Sequence, residues 1–127
     1  MKDVLNKVKE FHNTFGHPVA DKPTLISQDQ YILRHSLMQE ENDEYIEACE
    51  NKDLVEIADA LGDQLYILAG TMLVHGMQDK IIEVFDEIQR SNMSKLGSDG
   101  KPIIREDGKI LKSELYSPPD IKKIINE

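Results

Sequence analysis

The sequence predicts an all-α protein: a four-helix bundle followed by a short C-terminal hairpin or tail. Three observations carry that expectation. Apolar residues recur at three- and four-residue spacing through four successive segments. The segments are punctuated by capping residues and by glycine or proline. The connection at residues 49–53 is short, as antiparallel neighbours in a bundle require.

Residues 2–15 form the first expected helix, with Val4, Leu5, Val8, Phe11, His12 and Phe15 on one stripe. Gly16 and Pro18 end it, and residues 17–25 read as a loop. Ser27 is the expected N-cap of a helix over 27–50, whose buried side is Ile32, Leu33, Leu37, Tyr45, Ile46 and Ala48. Asp53 caps a third helix over 53–75, strongly apolar after Asp63 and therefore the expected central helix. Gly76 ends it. A fourth helix is expected over 78–92, with Ile81, Ile82, Val84, Phe85 and Ile88. In the tail, 97–127, two Asp-Gly dipeptides flank Ile103 and Ile104 and favour turns or a short hairpin. After SPPD, a short helix or extended tail begins at Asp120.

A chain of 127 residues suits a single domain, 1–127. So short a chain buries only about two-thirds of its unfolded surface, and partner copies are expected to complete its core. Hydrophobic residues are 39% and charged residues 31%, a globular rather than disordered balance. The net charge of −9 argues against nucleic acid or an anionic membrane as a partner. Cys49 is the single cysteine, so no intrachain disulfide can form, which fits a reducing cytoplasm. There is no apolar run of signal-peptide length, and no segment approaching the roughly 20 apolar residues of a membrane span is expected. His35 and His75 lack zinc-ligand spacing.

The acids are concentrated. Glu40, Glu41, Asp43, Glu44, Glu47 and Glu50 fall within eleven residues. On a helix, Glu41 and Glu44 share a face at i, i+3, and Glu40 and Glu44 at i, i+4. Each pair repels by a few tenths of a kcal/mol without a cation. The next helix repeats the device, with Glu56, Asp59 and Asp63 on one stripe. Asp63 lies inside LGDQLYIL, where an unpaired buried carboxylate is costly. Either stripe alone reads first as a solvated helix face, since acid pairs on helices are common. Facing each other across an antiparallel pair, they make a site for a hard divalent cation: Mg²⁺, with Mn²⁺ as its substitute.

Such a cation completes its shell with substrate phosphates and waters. The chemistry that follows is hydrolysis of a phosphoanhydride, with a spare carboxylate to orient or deprotonate a water. No GxxxxGK[ST] loop is present, so phosphate would be held by metal, Lys and Arg.

QEENDEYIEA followed by EIADALGDQLYILAG resembles the MazG-like, all-α NTP pyrophosphohydrolase superfamily, which includes phosphoribosyl-ATP pyrophosphohydrolases and dimeric dUTPases. Its pattern is E-E-x-x-E, a short spacer, then E-x-x-D. Glu40, Glu41 and Glu44 match the first half, and Glu56 and Asp59 the second. In many members the final acid directly precedes an apolar run, a place held here by Asp63 with Ala60 three residues before it. Either Glu56–Asp59 supply the second helix's ligands or Asp63 shares the work. The resemblance implies Glu41 and Glu44 as metal ligands and leaves Glu40 to orient or deprotonate the water. It also implies a homo-oligomer (a dimer or dimer of dimers) and cleavage of a nucleotide between its α- and β-phosphates.

RSNMSKL at 90–96 resembles a segment of one branch of that superfamily, and marks Asn92 and Lys95 as candidate substrate contacts. A polar helix end, with Arg90 and Lys95 complementing the dipole, explains it as well. Arg34 is a candidate phosphate contact or the partner of an acid. His12 is a candidate substrate residue that reads first as a surface or core hydrogen bond, and Phe11 reads as core packing before base stacking. The alternatives for the whole chain are a phosphoribosyl-ATP pyrophosphohydrolase with the same chemistry and a non-catalytic acidic helical module.

Overall fold

A computed structural model describes residues 1–127. The elements are α1 (Lys2–Phe15), α2 (Gln28–Glu50), α3 (Leu54–Val74), α4 (Ile81–Met93), β1 (Ile103–Ile104), β2 (Ile110–Leu111) and α5 (Ile121–Ile125). The protein is mostly helical, as expected, and its two-stranded sheet falls within the tail. The chain divides into two compact units, Met1–Asp79 and Lys80–Glu127. The four expected helices are distributed three to the first unit and one to the second.

In the first unit α3 is central, packing against both α1 and α2. Local chemistry sets each boundary. Gly16, at φ 78°, turns the chain out of α1. Ser27 and Gln30 form a capping box at the start of α2. The Asp53 side chain accepts from the Glu56 N–H at the start of α3. Asn51, Lys52 and Asp53 connect α2 to α3, with Lys52 in the left-handed region at φ 53°. Gly76 stops α3 at φ 68°, and a Cβ there would meet the Lys22 carbonyl oxygen at 2.0 Å. That close approach lets the 17–25 loop hang on the end of α3, through Ala20 N–H to the Leu73 carbonyl and Thr24 N–H to the His75 carbonyl.

The buried apolar set is small: Leu5, Val8, Ala48, Ala60, Ala69, Leu73 and Val74. The expected buried side of α2 is corrected by the structure. Only Ala48 of that set is buried and Leu37 is intermediate, while Ile32, Leu33, Tyr45 and Ile46 are exposed. On α3 the small residues Ala60, Ala69 and Gly70 face inward, whereas Leu61, Leu65 and Leu68 point outward. Small residues let helix axes approach, so the chain's own contacts consume the small side of α3 and leave the large one. By length and mean hydropathy (1.2 in its most apolar window), α3 reaches what a membrane-crossing helix needs, contrary to the expectation above. The helix carries three acids and packs on two other helices, and 28% of that window is buried within the chain's own fold.

In the second unit α4 starts at Ile81, not at 78, because residues 78–80 form a turn. The polar segment 90–96 anchors the tail. Arg90 pairs with Glu87 at 2.6 Å and donates to the Pro118 carbonyl, and Ser94 Oγ accepts from the Ser117 N–H at 2.8 Å. The strands β1 and β2 pair antiparallel, with Ile104 opposite Ile110, around a turn where Gly108 adopts φ 89°. Asp120 caps α5.

Candidate functional site

α2 and α3 lie antiparallel, and their facing stripes bring carboxylates together. Oxygens of Glu41, Glu44 and Asp63 all lie within 4.8 Å of one another. Glu41 and Glu44 sit one turn apart on α2, and Asp63 meets them from the middle of α3. Glu41 and Asp63 are half-buried and Glu44 is exposed. Glu41 Oε2 is shut off from solvent and has no hydrogen-bond partner. No Lys or Arg forms an ion pair with any of the three; the ion pairs are Arg90–Glu87 and Arg105–Asp107.

The Glu41 carboxyl is accordingly pushed up to about 6. Loss of solvent around it is the largest cause; the adjacent Glu44 carboxyl adds to it, followed by the charges of Asp63 and Asp59. An orphaned carboxylate oxygen among three acids suits a hard divalent cation, which prefers all-oxygen ligands. The donor set therefore fits Mg²⁺ or Mn²⁺.

Asp59 lines an adjoining cleft of about 450 Å³ with Glu44, Glu47, Ala48, Asn51 and Glu56. Glu44 borders both the cluster and the cleft. Glu56 belongs to the cleft and not to the tight cluster, so the geometry puts Asp63 ahead of Glu56 as the α3 partner of Glu41. Glu40 is exposed on α2, outside the cluster.

The other candidates sit elsewhere. Arg34 is 6% exposed and donates to the Ile67 carbonyl at 2.9 Å and to Thr71 Oγ1 at 3.0 Å. It meets no carboxylate, which corrects its pairing with an acid, and its burial commits it to the helix interior. His12 is 3% exposed. Its Nδ1–H donates to the Pro18 carbonyl at 3.1 Å, because a carbonyl can only accept, and this is the core hydrogen bond that was one of its two readings. Burial holds His12 below its ordinary value, and the nearby charges of Arg34 and His17 push the same way. Asn92 and Lys95 close α4 in the second unit, where the Asn92 carbonyl accepts from the Lys95 N–H at 3.1 Å. Phe11, expected in the core, is exposed and gathers with Phe15, His17 and Tyr66. Tyr66, which meets the Phe11 ring edge-on, is one turn from Asp63 on α3.

A second cavity, about 410 Å³, is lined by His35, Met38, Gln39, Asn42, Gln64 and Leu68 of α2 and α3. Gln64 Nε2 donates to Asn42 Oδ1 at 3.3 Å across the two helices. The sequence reading missed these residues. The signal was there in α2, where 35, 38, 39 and 42 share one helical face.

Comparison with known proteins identifies the family of the chain. The model of the phosphoribosyl-ATP pyrophosphohydrolase family matches residues 8–92, and the chain belongs to that family, within the MazG-like superfamily. The chain is similar to an uncharacterized protein of Acanthamoeba polyphaga mimivirus, with 39% identity over 74 residues. That stretch is 55% of this chain and 30% of the viral protein, so the chain spans under a third of that relative's length. A crystal structure of a candidate NTP pyrophosphohydrolase from Exiguobacterium sp. 255-15 is also similar. Its identity is 26%, its coverage 97% of this chain and 94% of that one, and its TM-score 0.34.

Proposed function

We propose that the protein is a Mg²⁺-dependent nucleoside triphosphate pyrophosphohydrolase, cleaving an NTP or dNTP between its α- and β-phosphates to a nucleoside monophosphate and pyrophosphate. The observation that carries this reading is the convergence of Glu41, Glu44 and Asp63 around an unpartnered Glu41 oxygen. Glu41, Glu44 and Asp63 would hold the cation, and Asp59 and Glu56 line the adjoining cleft as further candidate ligands. The chemistry a divalent cation supplies there is charge compensation of the phosphate oxygens and acidification of a water. Glu40, exposed and next to Glu41 in the chain, would orient a water or take its proton. Asn92 and Lys95, at the end of α4, are candidate substrate contacts on the resemblance of residues 90–96 alone. The outward-facing apolar residues of α2 and α3 support a homo-oligomer, a dimer or dimer of dimers, in which a second copy covers them.

A second reading, phosphoribosyl-ATP as the substrate of the same chemistry, is favoured by the family match over residues 8–92. One assay tests both. The protein is incubated with Mg²⁺ and a panel of NTPs, dNTPs and phosphoribosyl-ATP, and pyrophosphate is measured. Release from a triphosphate supports the first reading, and release from phosphoribosyl-ATP alone supports the second. No release from any of them sinks the enzymatic reading.

A further inference from the structure

Arg34 is a buried cation that no carboxylate neutralises. Its two hydrogen bonds both go to α3, more than thirty residues away in the chain. Thr71 Oγ1 accepts from Arg34 Nε and donates in turn to the Ile67 carbonyl at 2.8 Å. That carbonyl also accepts from Arg34 Nη2, so the three groups close a ring. The floor beneath the ring is Gly70. A Cβ there would lie 2.6 Å from Arg34 Nη2 and 2.8 Å from His12 Nε2. His12 therefore walls the guanidinium from the α1 side, and α2 approaches α3 over a bare backbone.

A buried ion seldom adds net stability over apolar residues of similar volume, and its best-attested use is to fix register. The position of Arg34 suits that use. Glu41 lies seven residues, or two turns, further along α2. In an antiparallel pair the matching step on α3 runs back from Gly70 by the same seven residues to Asp63. The clamp and the carboxylates therefore share one register. A slip of one residue moves a side chain about 1.5 Å along the axis and about 100° around it. That displacement would take Glu41 out of the 4.8 Å group that it forms with Glu44 and Asp63.

We infer that Arg34 is a positioning residue for the cation site: its clamp on Ile67 and Thr71 sets the α2–α3 register that holds Glu41 and Glu44 opposite Asp63. The inference rests on the functional reading above. It gives Arg34 a role through other residues, with no contact to substrate or metal. Because the clamp donates to a carbonyl and a hydroxyl, it anchors the helices without drawing on the carboxylates, which stay available to a cation.

The test is a Mn²⁺ titration of the full chain without nucleotide, following free Mn²⁺ by electron paramagnetic resonance, alongside steady-state kinetics. Arg34→Met keeps the volume and removes the clamp. It is expected to weaken Mn²⁺ binding about tenfold, as loss of outer support does at metal sites. It should lower kcat and leave KM for the nucleotide close to wild type. Arg34→Lys should recover part of the affinity, because one ammonium reaches the Ile67 carbonyl but lacks the fork. Unchanged Mn²⁺ affinity in Arg34→Met overturns the inference, as does a raised KM with metal affinity intact, which would mark a direct substrate contact. If Arg34→Met does not fold, Thr71→Val carries the test, with an expected loss of about threefold; wild-type affinity there overturns the inference equally. Failure of the functional reading is distinguishable, because then the wild-type chain releases no pyrophosphate from any nucleotide, while its Mn²⁺ affinity and that of Arg34→Met still report on the clamp.

Discussion

The α2–α3 pair holds opposite charges at two levels and treats them in opposite ways. At one level the Arg34 cation is buried, hydrogen-bonded and without a carboxylate. Two turns away, Glu41, Glu44 and Asp63 are gathered without a basic side chain, and one Glu41 oxygen has no partner. The obvious economy, placing the arginine among the acids, is not used. A guanidinium there would satisfy the carboxylates and occupy the place of a metal ion. Keeping the two apart makes one level a structural anchor and leaves the carboxylates of the other without a basic partner.

The largest expected effect breaks the acidic level. Glu41→Gln should lower pyrophosphate release by on the order of a hundredfold or more, through loss of a charge that acts on the transition state. The same variant should raise the melting temperature of the metal-free protein near neutral pH, since it removes a crowded carboxylate. Full activity in Glu41→Gln would move the site elsewhere. A smaller effect probes the anchor. Gly70→Ala puts a methyl group against Arg34 Nη2 and His12 Nε2. Overpacking should outweigh alanine's better helix propensity and cost about 1–2 kcal/mol net in denaturant unfolding. A stabilised Gly70→Ala would show that the clamp is loose.

The smallest effect compares the two levels by pH. Glu41 titrates at about 6 in the folded chain, above the ordinary carboxyl value of 4.5. Its contribution to metal-free stability is full below 4.5 and is lost as pH rises through 6. His12 acts in the other direction. Burial lowers it from 6.5, so its contribution is present above 6.5 and lost as pH falls through the folded value. Thermal melts of wild type and Glu41→Gln in a chelator separate the two. The wild type should lose a few degrees relative to the variant as pH rises past 6, and Mg²⁺ should erase the difference. Parallel curves in the chelator would place Glu41 in an ordinary solvated setting.

The sequence disclosed the pieces that depend on near neighbours. Ser27, Asp53, Gly16 and Gly76 mark helix ends because capping and left-handed turns act within a few residues. The acidic cluster was legible for the same reason: i, i+3 spacing fixes a face, and a short connection fixes antiparallel helices. What escaped depended on contacts across the chain. The burial of Arg34 is decided by Ile67 and Thr71, and that of His12 by Pro18 and Gly70. The exposure of Ile32 and Ile46 follows from α3 turning its small side inward. The cavity shared by Asn42 and Gln64 appears only once the register is known. The choice between Glu56 and Asp63 was likewise a matter of register.

The three-residue link between α2 and α3 has a kinetic consequence. So short a connection closes early during folding, because little loop entropy opposes it. The helices it joins carry the acids at matching levels, so the hairpin that forms most readily presses negative charges together from the outset. The encounter is opposed by electrostatic repulsion, and dissolved divalent ions would ease it. A divalent ion would then act as a counterion in the assembly of the hairpin, making the chain's refolding rate a reporter of the salts around it.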